Sequence, residues 1–216
     1  MNLSIVGAKG AGKGTQAGRL ASDFNLVSFS TGDAFRHGMK LRTPLGLVAD
    51  KYVQRGELVP DDIVNGLVEE WIWTTTPGKG IIFDGFPRTT FQAAFLEEIF
   101  REMGRKFDAV IYLDVSDEVV VQRLSGRRVC KLCREEFHTV YSPFKNCPKQ
   151  KCAGQWLRHL DEDHPGVIST LVKVFQRGIE PLLQHFEQTG RLITVNGGKS
   201  IEEVYAAIVS AVTPYR

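Results

Sequence analysis

At 216 residues the chain has room for one substantial α/β core with an insertion or two, and is short for two independent domains. Hydrophobic residues make up 43% and charged residues 24%, near the globular average, which excludes a disordered, collagen-like or low-complexity chain. A formal net charge of +2 is too small to hold nucleic acid or an anionic membrane by bulk attraction, so any such partner needs a local site.

The first apolar run, Leu3 to Val6, reads as a buried strand. It is too short for a signal peptide, and no stretch approaches the ~20 apolar residues of a membrane span, so a cytoplasmic location is expected. A helical pattern follows from Lys13 to Phe24, then a strand from Leu26 to Phe29 and helical patterns from Thr31 to about Arg55. A helix is expected over Asp61 to Trp73, a strand over Gly80 to Asp84 and a helix over Thr89 to Met103. Ala109 to Leu113 and Leu192 to Val195 complete the strands, with helices over Asp117 to Leu124 and Ser200 to Val212. Strands alternating with helices predict an α/β fold, a doubly wound five-stranded parallel sheet with its ligands at the carboxyl ends of the strands. Residues 31–60 and 127–162 break the rhythm and read as two inserted lobes on a core of residues 1–30, 61–126 and 163–216.

Gly7-Ala8-Lys9-Gly10-Ala11-Gly12-Lys13-Gly14-Thr15 follows the first strand and satisfies G-x-x-x-x-G-K at a strand-to-helix turn. Glycines turn backbone N–H groups inward to make an anion nest, and Lys13 carries a mobile charge toward terminal phosphates, so a nucleoside triphosphate is the expected ligand. Gly14 stands where this loop usually has Ser or Thr, which leaves Thr15 as the nearest hydroxyl for a metal. Asp84 ends a buried strand and precedes Gly85-Phe86-Pro87-Arg88; an acid there either holds Mg²⁺, directly or through its waters, or caps the next helix. Phosphoryl transfer needs positioned cations rather than a nucleophile. Arg36, Arg88, Arg123, Arg127 and Arg158 all flank Gly, Asp or strand-end positions, and no Ser-His-Asp or His-Arg-Asp pattern is present. An acceptor that is itself a phosphate needs no general base.

Taken in order, the glycine loop, Ser30-Thr31-Gly32-Asp33 with Arg36, Gly56 to Asp61, Asp84 to Thr89 with Gln92, and Arg123 with Gly126-Arg127-Arg128 resemble the adenylate kinase family along nearly the whole chain. The resemblance implies a P-loop core, an AMP-binding lobe at 31–60 and a lid at 127–162. It implies that Gly10, Ala11, Gly12, Lys13, Gly14, Thr15, Asp84, Arg123 and Arg127 hold ATP with Mg²⁺, and that Lys13, Arg88, Arg123, Arg127 and Arg158 surround the transferring phosphoryl group. Thr31, Arg36, Leu58, Val59, Gly85, Arg88 and Gln92 would surround AMP, with Arg36 and Arg88 on its phosphate and Gln92 on adenine. The implied activity is reversible transfer from Mg-ATP to AMP, giving two ADP, by a monomer without nucleic acid or membrane partners. Competing readings are a related kinase with another donor or acceptor base, and a nucleotide-binding regulator with weak catalysis.

Three departures from the family stand out. Lys9 occupies a position usually held by proline. A second arginine after the lid is replaced by Thr170 or Leu171, leaving Lys173 or Arg177 as substitutes. The acidic pair after the lid is spread over Asp161-Glu162-Asp163. Together they imply activity that is reduced or altered in preference.

The four cysteines, Cys130, Cys133, Cys147 and Cys152, fall in one window, which suits a metal rather than dispersed disulfides. Cys130-x-x-Cys133 makes a knuckle and Cys147 with Cys152 a wider second pair, predicting structural Zn²⁺ in a closed four-sulfur site; free or redox thiols are the alternative. The window from Arg123 to Arg158 is basic, compatible with phosphate capture or with a nucleic-acid-binding zinc ribbon. Phe137, Tyr141, Phe144 and Trp156 are expected to form the small core of this segment.

Overall fold

The computed structural model describes residues 1–53, 59–75, 78–133, 135–160 and 163–215. In chain order the first elements are Asn2–Gly7 (β1), Lys13–Asp23 (α1), Leu26–Ser30 (β2), Thr31–Leu41 (α2), Pro44–Val53 (α3) and Asp61–Thr75 (α4). Gly80–Asp84 (β3), Thr90–Glu102 (α5), Ala109–Asp114 (β4) and Asp117–Gly126 (α6) follow. Arg127–Cys130 (β5), Glu136–His138 (β6) and Leu157–Arg158 (β7) lie in the cysteine segment, and Pro165–Gln188 (α7), Leu192–Asn196 (β8) and Ile201–Val212 (α8) close the chain.

Five of the strands form one sheet in the order β2-β3-β1-β4-β8, every pair parallel. Central strands of such a sheet are covered on both faces, so they read as continuous apolar runs. Leu3, Ile5, Ile81, Ile82, Phe83, Val110 and Ile111 are accordingly all fully buried. The Phe83 ring lies 6.2 Å from Phe29, 5.8 Å from Phe86 and 6.3 Å from Phe100, which ties β3 to its neighbours. From β1 the chain runs out to β2, returns through β3, and passes to β4 and β8 on the other side. The direction of winding therefore changes at β1, the place where open α/β sheets leave a crevice for ligands.

The helical stretch expected from Thr31 to about Arg55 is two helices. Arg42 adopts a left-handed φ of 54° and Pro44 opens the next helix, where its missing N–H costs nothing. Gly46 of α3 meets the backbone of Gly38 in α2 so closely that a Cβ at Gly46 would strike the Gly38 carbonyl.

Two elements depart from the sequence expectation. The 24-residue helix α7 had no counterpart in it, because Pro165-Gly166 and the internal Pro181 interrupt the pattern with residues that usually punctuate loops. Its buried residues Ile168, Val172, Ile179, Leu182 and Phe186 nevertheless mark one helical stripe. The cysteine segment, which has no long amphipathic period in its sequence, holds a three-stranded antiparallel sheet in the order β6-β5-β7. The described chain divides into two compact units, one of residues 1–7, 12–114 and 178–216, the other of residues 8–11 and 115–177. No helix among the described residues is long and apolar enough to cross a membrane.

Candidate active site and cysteine centre

Gly10 and Gly12 of the glycine loop hold φ of 82° and 97°, a region that L side chains enter only at a cost. Gly12 precedes α1 without a side-chain cap, so first-turn N–H groups and the positive end of the helix dipole are left for an anion. Lys13 Nζ donates to the carbonyl of Gly7 at 2.9 Å, folding the amine back to the end of β1. Gly14 and Thr15 are exposed. A Cβ at Gly14 would lie 3.3 Å from Asp84 Oδ2, so glycine in place of a hydroxyl residue lets the carboxylate stand against the start of α1.

Asp84 ends β3. Burial pushes its carboxyl above the usual range, and the charges of Lys13, Arg88 and Arg36 pull against that shift while Asp33 reinforces it. The alternative in which Asp84 caps the next helix does not hold: α5 is capped by Thr89, whose side chain accepts from the Gln92 N–H. The carboxylate is thus left to face cations, which suits a residue that carries Mg²⁺ or its waters. Gly85 has φ of 74°, and a Cβ there would lie 3.2 Å from Arg88 Nη2 and 3.9 Å from Lys13 Cε. A side chain at Gly85 would separate those two cations.

In the same unit a cavity of about 160 Å³ is lined by Thr31, Gly32, Phe35, Arg36, Met39, Val59, Val64, Gly85, Phe86, Arg88 and Gln92. Of the residues expected to surround the monophosphate, Thr31, Arg36, Val59, Gly85, Arg88 and Gln92 are therefore brought together; Leu58 lies outside the described residues. Arg36 is anchored by Asp33 at 2.7 Å in an exposed pair, weak enough in water to exchange for a phosphate. Arg88 Nε donates to the Gly85 carbonyl at 2.8 Å. Gln92 is buried and its carboxamide is engaged at both ends: Oε1 accepts from the Arg88 N–H, and Nε2 donates to Asp61 Oδ1, each at 2.7 Å.

The other unit holds a second set of cations. Arg123 Nη1 donates to the Ala11 carbonyl at 3.2 Å, and burial lowers its pKa. Asp163 is fully buried, and Arg127 grips it with Nε at 2.7 Å and Nη2 at 2.8 Å. Lys9 reaches the same carboxylate at 3.4 Å. One buried anion therefore joins Lys9 to an arginine expected at the phosphates. Arg158, in β7, is exposed and pairs through its backbone with Val129. Thr170 Oγ1 donates to the Gly166 carbonyl at 3.3 Å, while Lys173 and Arg177 are exposed.

Sulfur dominates the cysteine segment. Cys130, Cys133 and Cys147 are buried, with Cys152, Phe144 and Leu157 packed against them. The Sγ atoms of Cys130, Cys133 and Cys152 lie within 4.8 Å of one another, a spacing that one tetrahedral ion with ~2.3 Å bonds to sulfur can span. Cys147 is buried in the same cluster but lies outside this group of three; the Lys151 N–H, 3.4 Å from its sulfur, is the largest influence lowering its pKa to about 7. The Cys133 N–H likewise points at Cys130 Sγ at 3.5 Å. Backbone N–H groups aimed at sulfur stabilise thiolate, the form that binds a metal. Gln150, with φ of 53°, closes a turn back to Cys147 by donating to its carbonyl at 2.9 Å, so the wider second pair is taken up by the turn.

The expected aromatic core of this segment needs correction. Phe137 and Phe144 do pair edge to face, 5.0 Å apart, but Tyr141 and Trp156 are 57% and 48% exposed. The sulfurs and Phe144 occupy the interior those two were expected to fill. The roles of Lys9 and Asp61 were not legible in the sequence. Lys9 was visible only as a departure, and Asp61 only as an acid opening a helix, a placement that helix capping alone explains.

A family model described as Adenylate kinase matches residues 5–191 of the chain. The adenylate kinase of Bacillus licheniformis is 43% identical over 209 residues, covering 96% of each chain. That of Carboxydothermus hydrogenoformans is 42% identical over 211 residues, 98% of this chain and 99% of its own, and that of Bacillus subtilis is 41% identical over 211 residues, 96% of each. A match that spans the glycine loop, the Asp84 to Thr89 motif and the cysteine segment makes this chain a member of the adenylate kinase family of phosphotransferases.

Proposed function

We propose that the chain catalyses reversible transfer of the terminal phosphoryl group of Mg-ATP to AMP, giving two ADP. The observation that carries this reading is the cavity in which Arg36 and Arg88 accompany the buried amide of Gln92. It offers cations for a monophosphate and a carboxamide for a base, in the unit that also contains Lys13 and Asp84. In this reading the loop N–H groups at Gly10, Ala11, Gly12, Gly14 and Thr15 cradle the donor phosphates, and Lys13 follows the charge that moves to the bridging oxygen. In this reading Asp84 would carry Mg²⁺, directly or through its waters, and the ion when bound would neutralise donor phosphate charge.

Arg123, Arg127 and Arg158 belong to the same reading as cations for the transferring group. Arg127 begins bound to the buried Asp163, and turning it to phosphate would strand that carboxylate at high cost. Lys9, already at 3.4 Å, keeps it neutralised. The four cysteines hold structural Zn²⁺ and make residues 127–162 one rigid lid, with 31–60 as the monophosphate lobe. Closure of both lobes excludes water and so suppresses ATP hydrolysis. Small diffusible substrates and cysteines without disulfides fit a cytoplasmic monomer.

A coupled assay across the common nucleoside monophosphates and both ATP and GTP, with metal content measured on the same sample, tests the reading. Turnover of ATP with AMP well above that of every other pair is the expected result. Conversion no faster than that of Lys13→Ala would overturn it.

A further inference from the structure

The acceptor cavity contains a device that the motif reading leaves unused. A carboxamide is nearly symmetric in shape, yet its two ends are opposite in hydrogen-bonding character, one accepting and one donating. A glutamine that is free to turn over presents either pattern to a base. Gln92 has no such freedom. Its Oε1 accepts from the Arg88 N–H at 2.7 Å, and its Nε2 donates to Asp61 Oδ1 at 2.7 Å. Turned over, the amide would press NH₂ against an N–H and carbonyl oxygen against a carboxylate, both repulsive. Asp61 is itself held, because Thr89 Oγ1 donates to its other oxygen at 2.7 Å. Thr89 in turn accepts from the Gln92 N–H at 3.1 Å, which closes the network around the residue it orients.

Among the described residues these bonds leave Gln92 one Nε2 hydrogen and one Oε1 lone pair, a donor and an acceptor at ends of the amide that their partners fix. A 6-aminopurine edge offers an N1 acceptor beside an amino donor. A 6-oxopurine edge offers an N1–H donor beside a carbonyl acceptor. A locked amide matches one of these edges in a given pose and mispairs with the other, and mispaired polar groups in a dry cavity discriminate strongly.

We propose that Asp61 is the residue that sets acceptor-base specificity, by fixing the polarity of the Gln92 amide so that the cavity prefers a 6-aminopurine monophosphate over a 6-oxopurine one. This deepens, and rests on, the reading of the cavity as the AMP site. Asp61 acts through Gln92 and touches no reacting atom, so it is a positioning residue.

The test compares AMP with IMP as acceptor in five proteins: the wild type, Asp61→Ala, Asp61→Asn, Asp61→Ser and Gln92→Ala. In Asp61→Ala the ratio of kcat/KM for AMP over IMP is expected to fall by about tenfold, the range in which one misdirected buried hydrogen bond discriminates. The loss falls on KM for AMP rather than on kcat or KM for ATP. Asp61→Asn still offers an oxygen to Nε2 and restores most of the ratio, whereas Asp61→Ser, which caps a helix as well as Asn does but has the shorter side chain, does not. If Asp61→Ala does not fold, Asp61→Ser keeps a small polar residue in the first turn of α4 and serves in its place. An AMP:IMP ratio in Asp61→Ala or Asp61→Ser within twofold of wild type, while Gln92→Ala collapses it, overturns the inference and leaves the AMP site standing. A ratio unmoved in Gln92→Ala overturns the base-reading role of the cavity itself.

Discussion

Around the parallel sheet burial is carried by hydrocarbon. Phe83, Phe86, Phe100 and Phe186 are all essentially inaccessible, beside Leu3, Ile5 and Ile81. Around the cysteines the buried residues are Cys130, Cys133 and Cys147, with Phe144 and Leu157 leaning on them. Each aromatic ring buries ~150–250 Å², so a sheet covered on both faces is stable through area alone. A segment with three strands of two to four residues cannot reach that area and, in the reading proposed above, takes its rigidity from a bound ion. The lesson is that the two regions should respond to different perturbations.

The largest expected effect comes from metal removal. A high-affinity chelator under reducing conditions should strip hydrogen-exchange protection from amides in 127–158 while β1 and β3 keep theirs, because structural zinc contributes on the order of 10 kcal/mol to small coreless folds. Retained protection throughout, or no metal in the purified protein, would erase the contrast. Phe83→Ala is the reciprocal perturbation and should cost about 3–5 kcal/mol in global denaturant unfolding without changing metal content.

Asp163→Ala should destabilise by about 3 kcal/mol, since it leaves Arg127 and Lys9 without the buried carboxylate they share; the same measurement on the exposed Arg36–Asp33 pair should give under about 1 kcal/mol. Lys13→Ala should lower turnover on the order of 10²-fold with little change in melting temperature, because its charge acts mainly on the transition state.

Asp84→Asn is the subtlest. Its carboxyl is held above the ordinary aspartate range by burial, so ionisation costs more in the folded chain than in the unfolded one. Below the unfolded pKa both states are protonated and nothing is lost. As pH rises through the folded pKa the full cost is incurred. The variant should therefore melt higher than wild type at neutral pH, lose that advantage as pH falls through the raised folded pKa so that none remains below about 4, and turn over more slowly. A lower melting temperature at neutral pH would contradict the electrostatic account of the site.

Much of the architecture was legible from local pattern. The strand positions followed from apolar runs such as Ile81-Ile82-Phe83, and the glycine loop from its spacing. Helix α7 was equally present in the sequence, since Ile168, Val172, Ile179, Leu182 and Phe186 recur at helical spacing. It went unseen because Pro165 and Pro181 punctuate it, although proline in a first helical turn is favourable. The short strands β5, β6 and β7 left no periodic trace, as two to four residues are too few to establish one.

What the sequence determined by itself were the features set by neighbours along the chain: the order of strands and helices, the anion nest after β1, and the two cysteine pairs. What only the tertiary structure decided were pairings between residues far apart in sequence. Lys9 and Arg127 share the carboxylate of Asp163, and Asp61 sets the polarity of Gln92. Hydrogen bonds require donors and acceptors within about 3 Å and in line, a condition that depends on where separate elements come to rest. Aspartates 61 and 163 look alike in the sequence; one came to lie against an amide and the other between two cations, and that placement assigned their work.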